Sequence, residues 1–169
     1  MLVVDTAAGA HLRLSISDPG GFYEGKPAPL DRLLGAYDVD GNGRSDLVVF
    51  LSGNTLFSAG LVTLVARRLV QVRPDDVIRF GAHGQACGLC TVDTTCQSWH
   101  GQPRVVETES QALSSHRRRW QATIYALRGA RLVWVAEERG VVATGAALPS
   151  SLRFADELDC GTARWSLGG

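Results

Sequence analysis

The chain lacks any excess of charge and has almost no lysine. Its 17 Lys and Arg residues balance 17 Asp and Glu residues, and Lys26 is the only lysine. A neutral chain lacks the basic excess that attracts nucleic acids or anionic membranes, so neither partner is expected. The sequence also lacks an apolar run of the roughly 18 residues that a transmembrane helix needs. No membrane-spanning segment is therefore expected.

The first residues lack the features of a secretory signal peptide. Residues 1–5 contain no positive charge and no long apolar stretch, so we expect no signal peptide within this sequence. Hydrophobic residues make up 45% and charged residues 20% of the chain, which is typical of a globular protein. The length of 169 residues predicts a single domain spanning 1–169.

The most informative stretch is an acidic loop at residues 38–46. Oxygen ligands occupy positions 1, 3, 5, 7 and 9 of this loop: Asp38, Asp40, Asn42, the backbone carbonyl of Arg44, and Asp46. Gly43, at position 6, permits the sharp turn. Hard oxygen ligands at this spacing are typical of a Ca²⁺ loop. The alternative is an ordinary turn, since Asp, Asn and Gly favour turns. We predict a structural calcium site.

The residues around the loop predict strands rather than the helices of an EF-hand. Position 12, where an EF-hand has a bidentate Glu, is Val49. Residues 47–51 are apolar and rich in β-branched side chains, as in a buried strand, and residues 33–37 also have a short-strand pattern. The loop therefore connects a β-hairpin, in which Asp46 takes the place of the missing Glu.

Residues 34–49, with the sequence LGAYDVDGNGRSDLVV, resemble the FG-GAP/VCBS repeat. In that family a strand, a calcium loop and a second strand recur in integrin-type β-propellers and in bacterial secreted proteins. The resemblance implies a calcium-stabilised, extracytoplasmic β protein. Only one copy is present, whereas propellers need several four-stranded blades, so a complete propeller is not expected.

Four cysteines admit three interpretations: Cys87, Cys90, Cys96 and Cys160. They can form two disulfides, one of which would tie the C-terminal segment to the cluster. They can bind zinc, with His83 or His100 contributing. Cys87 and Cys90 can also form a redox pair. Calcium and oxidised thiols belong to the same compartments, so we favour disulfides and a periplasmic, secreted or cell-surface location.

The remaining chain predicts a mostly β fold. Residues 2–17 alternate as strands do, residues 61–73 predict one long strand, and residues 120–127 and 131–136 predict a hairpin. Residues 81–103, rich in Gly and Cys, predict a loop insertion stapled by its cysteines. Many short strands separated by turns indicate an antiparallel sandwich, a barrel or a partial propeller.

The expected role is that of a calcium-binding module that contacts a protein or glycan partner through its loops. Two alternatives stay open: a zinc-site protein or metalloenzyme centred on the four cysteines, and a fragment of a larger repeat protein. Catalysis is not favoured, because residues 114–116, Ser-Ser-His, lack the context of a nucleophile elbow. The arginines at 117–119 are expected to be solvated. The sequence predicts no oligomeric state.

Overall fold

The structure is a computed structural model. It describes residues 1–6, 8–17, 33–53, 56–73, 78–81, 90–149, 158–159 and 164–165. The described residues form strands and turns and contain no helix, so the predicted mostly β fold is confirmed. None of the described segments forms a helix long and apolar enough to cross a membrane.

The strands of the described residues belong to three sheets. The first is a two-stranded hairpin of β1 (Leu2–Asp5) and β2 (His11–Leu14). The second has the order β3-β4-β5-β6, and β7 also pairs with β5; its strands are β3 (Leu33–Tyr37), β4 (Asp46–Gly53), β5 (Leu56–Val65), β6 (Arg68–Gln71) and β7 (Ile78–Gly81).

The third sheet is six-stranded and has the order β11-β10-β9-β8-β12-β13. Its strands are β8 (Cys90–Trp99), β9 (Gln102–Ser114), β10 (Arg117–Arg128), β11 (Arg131–Ala143), β12 (Leu158–Asp159) and β13 (Arg164–Trp165). All described strand pairs are antiparallel except β8 with β12, which run parallel with Asp159 beside Thr95. As far as the chain is described, none of these sheets closes into a barrel.

The main hydrophobic core contains residues from both of the larger sheets. Val48 and Leu61 come from the five-stranded sheet, and Val105 and Leu127 come from the six-stranded sheet. All four are at most 5% exposed. Burial of such apolar side chains contributes about 25 cal/mol per Å² of area removed from water, so this contact is the main apolar link between the two sheets.

Each large sheet also has apolar residues on its other face. Leu2 and Leu14 of the β1–β2 hairpin pack against a cluster that contains Val49 and Val62. On the far side of the six-stranded sheet, a separate cluster contains Val106, Trp120, Ala122, Ile124 and Leu148. The alternation of Val48 with Val49 and of Val105 with Val106 between clusters follows from the two-residue period of a strand.

Two predicted segments differ from the structure. Residues 61–73 are not one strand: β5 ends at Val65, and a two-residue turn leads into β6. Ala66 and Arg67 adopt φ values of 48° and 65°, the left-handed conformation that such turns require. The prediction was wrong because this turn usually contains Asn and Gly, and here it contains Ala and Arg.

The predicted loop insertion at 81–103 is wrong over most of its described part. Residues 90–99 form β8, which pairs with β9 along its whole length, and only a tight turn at His100 and Gly101 separates the two strands. The Gly and Cys content obscured a β-branched run, Thr91, Val92, Thr94 and Thr95, which favours a strand. Residues 82–89 lie outside the described residues. The predicted hairpins at β3–β4 and β10–β11 are present, and the strands predicted within residues 2–17 are β1 and β2.

Candidate functional site

The acidic loop connects β3 to β4, as the sequence predicted. Tyr37 at the end of β3 pairs with Asp46 at the start of β4, so residues 38–45 form the turn between them. Tyr37 and Val39 are 5% and 2% exposed and belong to the main core. These two apolar side chains anchor the loop, while Asp38 between them faces solvent.

Two glycines let the loop turn back on itself. Gly41 and Gly43 have φ values of 76° and 80°, which side chains with a Cβ atom rarely adopt. A Cβ at Gly41 would lie 2.7 Å from Cγ of Pro103, whereas a Cβ at Gly43 would meet nothing within 4 Å. Gly41 therefore also brings the loop against the start of β9.

Three carboxylates converge inside the loop. One oxygen each of Asp38, Asp40 and Asp46 lies within 4.8 Å of the others. Asp38 is exposed, Asp40 is half-buried and Asp46 is only 2% exposed. Within the described ranges these side chains form the one group of three or more His, Cys, Asp or Glu residues whose ligand atoms lie this close together. The three Asp residues that the sequence proposed as calcium ligands are thus brought together.

Hydrogen bonds from the loop backbone orient these carboxylates. Oδ1 and Oδ2 of Asp38 accept bonds of 2.8 Å from the N–H groups of Asn42 and Gly43. Asn42 donates from its backbone to Oδ1 of Asp40 at 3.1 Å and from its side-chain amide to Oδ2 at 2.8 Å. A carboxylate oxygen has more than one acceptor position, so these bonds leave capacity for a cation.

The other two proposed ligands also lie in this network. The N–H of Arg44 donates to Oδ1 of Asn42 at 2.8 Å, so the amide that contacts Asp40 is held from both sides. Arg44 is expected to contribute its backbone carbonyl oxygen to the ion, so its side chain takes no part in the site. The loop has the hydrogen bonds of an Asx-turn. The oxygens of its Asp and Asn side chains could also bind a cation.

The environment of Asp46 disfavours its ionised form. Burial raises its pKa above the ordinary aspartate value, and the negative charges of Asp40 and Asp38 raise it further. Hydrogen bonds from Thr63 and from the backbone of Val39 oppose this rise. Like charges and desolvation both disfavour an ionised carboxylate, and a divalent cation reverses both effects. The donor set, all hard oxygen, matches Ca²⁺.

The predicted cysteine site is only partly described. Cys96 lies on β8, packs against the main core and is not a free thiol. Cys90 is placed by its strand alone, and Cys87, Cys160 and His83 lie outside the described residues. The zinc, disulfide and redox interpretations of the four cysteines therefore remain predictions.

His100, a proposed zinc ligand, lies at the tip of the β8–β9 hairpin. It has a φ of 50° and is exposed, and its ring makes an edge contact with the ring of Trp99 at a centroid distance of 4.2 Å. A turn position and an aromatic neighbour explain its place without a metal.

The arginines at 117–119 do not all behave as predicted. Arg117 and Arg119 are exposed, but Arg118 is half-buried. Its Nη2 donates to Oγ1 of Thr91 at 3.2 Å and also to Oγ of Ser110. Arg118 therefore cross-links β8, β9 and β10 rather than projecting into solvent.

A groove that sequence reasoning missed opens beside the acidic loop. It has a volume of about 480 Å³ and lies between the β3–β4 turn and the tip of the β8–β9 hairpin. Asp38 and Ser45 line one side, and Gln97, Pro103 and Arg104 line the other. Its two sides are about 60 residues apart in sequence, so no local pattern could have indicated it.

Comparison of the chain with protein-family models, with curated proteins and with solved structures gave no match. The resemblance of residues 34–49 to the FG-GAP/VCBS repeat therefore rests on those residues alone.

Proposed function

We propose that this protein is a calcium-binding β module whose Ca²⁺ site is the loop between β3 and β4. The ligands are the side chains of Asp38, Asp40, Asn42 and Asp46 and the carbonyl of Arg44. The observation that carries the proposal is the convergence of three carboxylates within 4.8 Å, one of them 2% exposed. Without a cation these charges repel each other in a partly desolvated site.

The role of the ion in this proposal is structural. Tyr37, which precedes the loop, and Val39, its second residue, belong to the main core. Asp46 begins β4, which pairs with β3 on one side and with β5 on the other. Ions that bind only the folded state stabilise it by linkage. Calcium binding would therefore raise the stability of the contact between the sheets, and not only order an exposed turn.

We further propose a sandwich arrangement in which the five-stranded and six-stranded sheets face each other. The shared core, with Val48 and Leu61 on one side and Val105 and Leu127 on the other, supports this arrangement. On such a rigid scaffold, exposed loops serve as contact surfaces, which favours a binding role toward a partner macromolecule. The proposed location is extracytoplasmic, where calcium is plentiful and disulfides persist.

Thermal unfolding in Ca²⁺ and in EGTA tests this function. Calcium at a hundredfold excess over its Kd would contribute about 2.7 kcal/mol, which corresponds to a rise in Tm of roughly 5 to 10 °C. The Asp38→Ala variant should lose this rise, because it removes a ligand whose side chain is exposed and makes no core contact. Glu109→Gln, an exposed substitution on β9, serves as the control and should keep it.

The proposal fails if the parent protein melts at the same temperature in Ca²⁺ and in EGTA. It also fails if Asp38→Ala keeps the full rise in Tm, because calcium would then bind elsewhere on the chain.

A further inference from the structure

The groove beside the acidic loop contains two polar side chains whose hydrogen bonds are incomplete. Gln97 on β8 and Arg104 on β9 are direct partners in the strand register, so their side chains leave the ribbon on the same face. Nε2 of Gln97 and Nε of Arg104 are both closed off from solvent and have no hydrogen-bond partner. Two neighbouring donors thus lack acceptors.

Arg104 also lacks an anionic partner among the described residues. Its Nη1 donates to the carbonyl of Pro103 at 2.6 Å, and no carboxylate among the described residues forms an ion pair with it. A buried donor without an acceptor destabilises the protein, and more so when it is charged. A half-buried guanidinium beside an unpaired amide is therefore suited to bind an anion.

We propose that this groove binds an acidic peptide and that the side chains of Gln97 and Arg104, whose Nε2 and Nε atoms are closed off from solvent, turn toward the groove to hold the carboxylate of one of its Glu or Asp side chains. A carboxylate offers two acceptor oxygens, which match the adjacent N–H donors of a guanidinium and an amide. Arg104 supplies one positive charge without an anionic partner, which attracts the single negative charge of a carboxylate, while Asp38 on the opposite side disfavours a more highly charged group such as a phosphate dianion.

The shape of the groove is consistent with a side chain of this kind. Its volume of about 480 Å³ falls within the range of roughly 300–1,000 Å³ that is usual for ligand sites. Ala36 and Pro103 also line it and provide apolar contacts for the methylene groups that carry a Glu carboxylate. Apolar walls with a few placed donors are typical of a specific site.

Binding in this groove would depend on calcium, and this part of the inference rests on the proposed function. Asp38 belongs both to the carboxylate cluster and to the groove lining. Its negative charge repels an incoming carboxylate, and a bound divalent cation weakens that repulsion. The acidic peptide and the ion would therefore bind with positive cooperativity.

The test is fluorescence anisotropy of a labelled hexaglutamate peptide, with hexaglutamine as the uncharged control. We expect saturable binding of hexaglutamate in Ca²⁺, weaker binding in EGTA, and no binding of hexaglutamine. Arg104→Gln and Gln97→Met should each weaken binding roughly ten- to a hundredfold, as the loss of a charge-assisted hydrogen bond does. Arg139→Gln removes an exposed charge on β11 and should leave the affinity unchanged.

Calcium titration of the same variants separates the two proposals. If the parent protein binds calcium but not hexaglutamate, the groove inference is overturned and the calcium site stands. If it binds no calcium, the proposed function is overturned, and hexaglutamate binding that still needs Arg104 would support the groove alone. Equal losses in Arg139→Gln and Arg104→Gln would contradict a specific site, as would binding of an acidic oligosaccharide in place of the peptide. Gln97→Met, which retains every charge, supplies the same comparison if Arg104→Gln does not fold.

Discussion

Oδ2 of Asp46 accepts a hydrogen bond of 3.0 Å from the backbone N–H of Val39. This bond joins the last carboxylate of the acidic loop to its second residue and closes the loop on itself. Val39 is 2% exposed and part of the main core. The geometry of the proposed calcium site is thus coupled directly to core packing.

Replacement of Asp46 by Asn should have opposite effects with and without calcium. In EGTA, Asp46→Asn should raise Tm, because a neutral side chain avoids the desolvation and the repulsion from Asp40 and Asp38 that raise the pKa of Asp46. The amide oxygen can still accept the bond from Val39.

In calcium, the same variant should melt below the parent protein, because it has lost a charged ligand. Thermal melts in both conditions give the sign of each change, with Glu109→Gln as the control that moves neither. A variant that melts lower than the parent in EGTA as well would show that Asp46 acts as a hydrogen-bonding core residue and is not under electrostatic stress.

Substitution of the two loop glycines should separate backbone strain from steric contact. An alanine at positive φ costs roughly 1–2 kcal/mol, and both Gly41→Ala and Gly43→Ala incur this loss. Gly41→Ala adds the clash with Pro103, worth about another 1–3 kcal/mol of overpacking, so it should be the more destabilising change in urea denaturation.

Pro103→Ala in the Gly41→Ala background should recover the part of the loss that comes from the clash. The same change in the Gly43→Ala background should recover nothing, since a Cβ there has free space. Equal effects of Pro103→Ala in the two backgrounds would argue against the contact between the loop and β9.

Substitutions in the turn between β5 and β6 should stabilise the protein. Ala66 and Arg67 adopt positive φ, and Asn-Gly is the pair that such two-residue turns prefer. The double variant Ala66→Asn, Arg67→Gly should raise the free energy of unfolding by roughly 1–2 kcal/mol, measured by urea denaturation.

The β10–β11 turn supplies the matched control. Gly129 already has a φ of 59°, and Ala130 is not at positive φ. Ala130→Gly should therefore lower stability by about 0.5–1 kcal/mol through added chain entropy. Stabilisation by both changes would mean that flexibility, and not relief of strain, explains the effect.

The pairing of β8 with β12 leads to a prediction about the disulfide partner of Cys96. Thr95 on β8 lies beside Asp159 on the parallel strand β12, and the next residues in sequence are Cys96 and Cys160. Cys160 itself lies outside the described residues. Because each of the two cysteines directly follows one member of this residue pair in the sequence, we predict a disulfide between them.

Peptide mapping of the unreduced protein checks this pairing. A cross-linked pair of peptides containing Cys96 and Cys160 is expected. A link from Cys96 to Cys87 or Cys90, or reduced thiols with bound zinc, would contradict it.

Local patterns predicted the parts of this protein in which neighbouring residues determine the structure. Alternating apolar residues indicated β1, β2 and the β10–β11 hairpin, and the Asp, Asn and Gly spacing of residues 38–46 indicated a tight loop with converging carboxylates. In each case strand period and turn chemistry act over a few residues.

The features that were not predicted from the sequence depend on contacts between distant residues or on backbone conformations that the local sequence does not indicate. The strained turn at Ala66 is held by the pairing of β5 with β6, and β8 is a strand because β9 pairs with it along its whole length. The groove joins Asp38 to Arg104, and the pairing of Gln97 with Arg104 depends on the register of one hairpin. Tertiary contacts of this kind override local propensity.

Isothermal titration of the metal-free protein with Ca²⁺ tests the central claim most directly. The proposed site predicts one ion bound per chain and no such binding in Asp46→Asn, which keeps the shape of the loop but removes the buried charge. A flat titration of the parent protein, or full binding by Asp46→Asn, would contradict the account and leave residues 38–46 as a turn stabilised by its own hydrogen bonds.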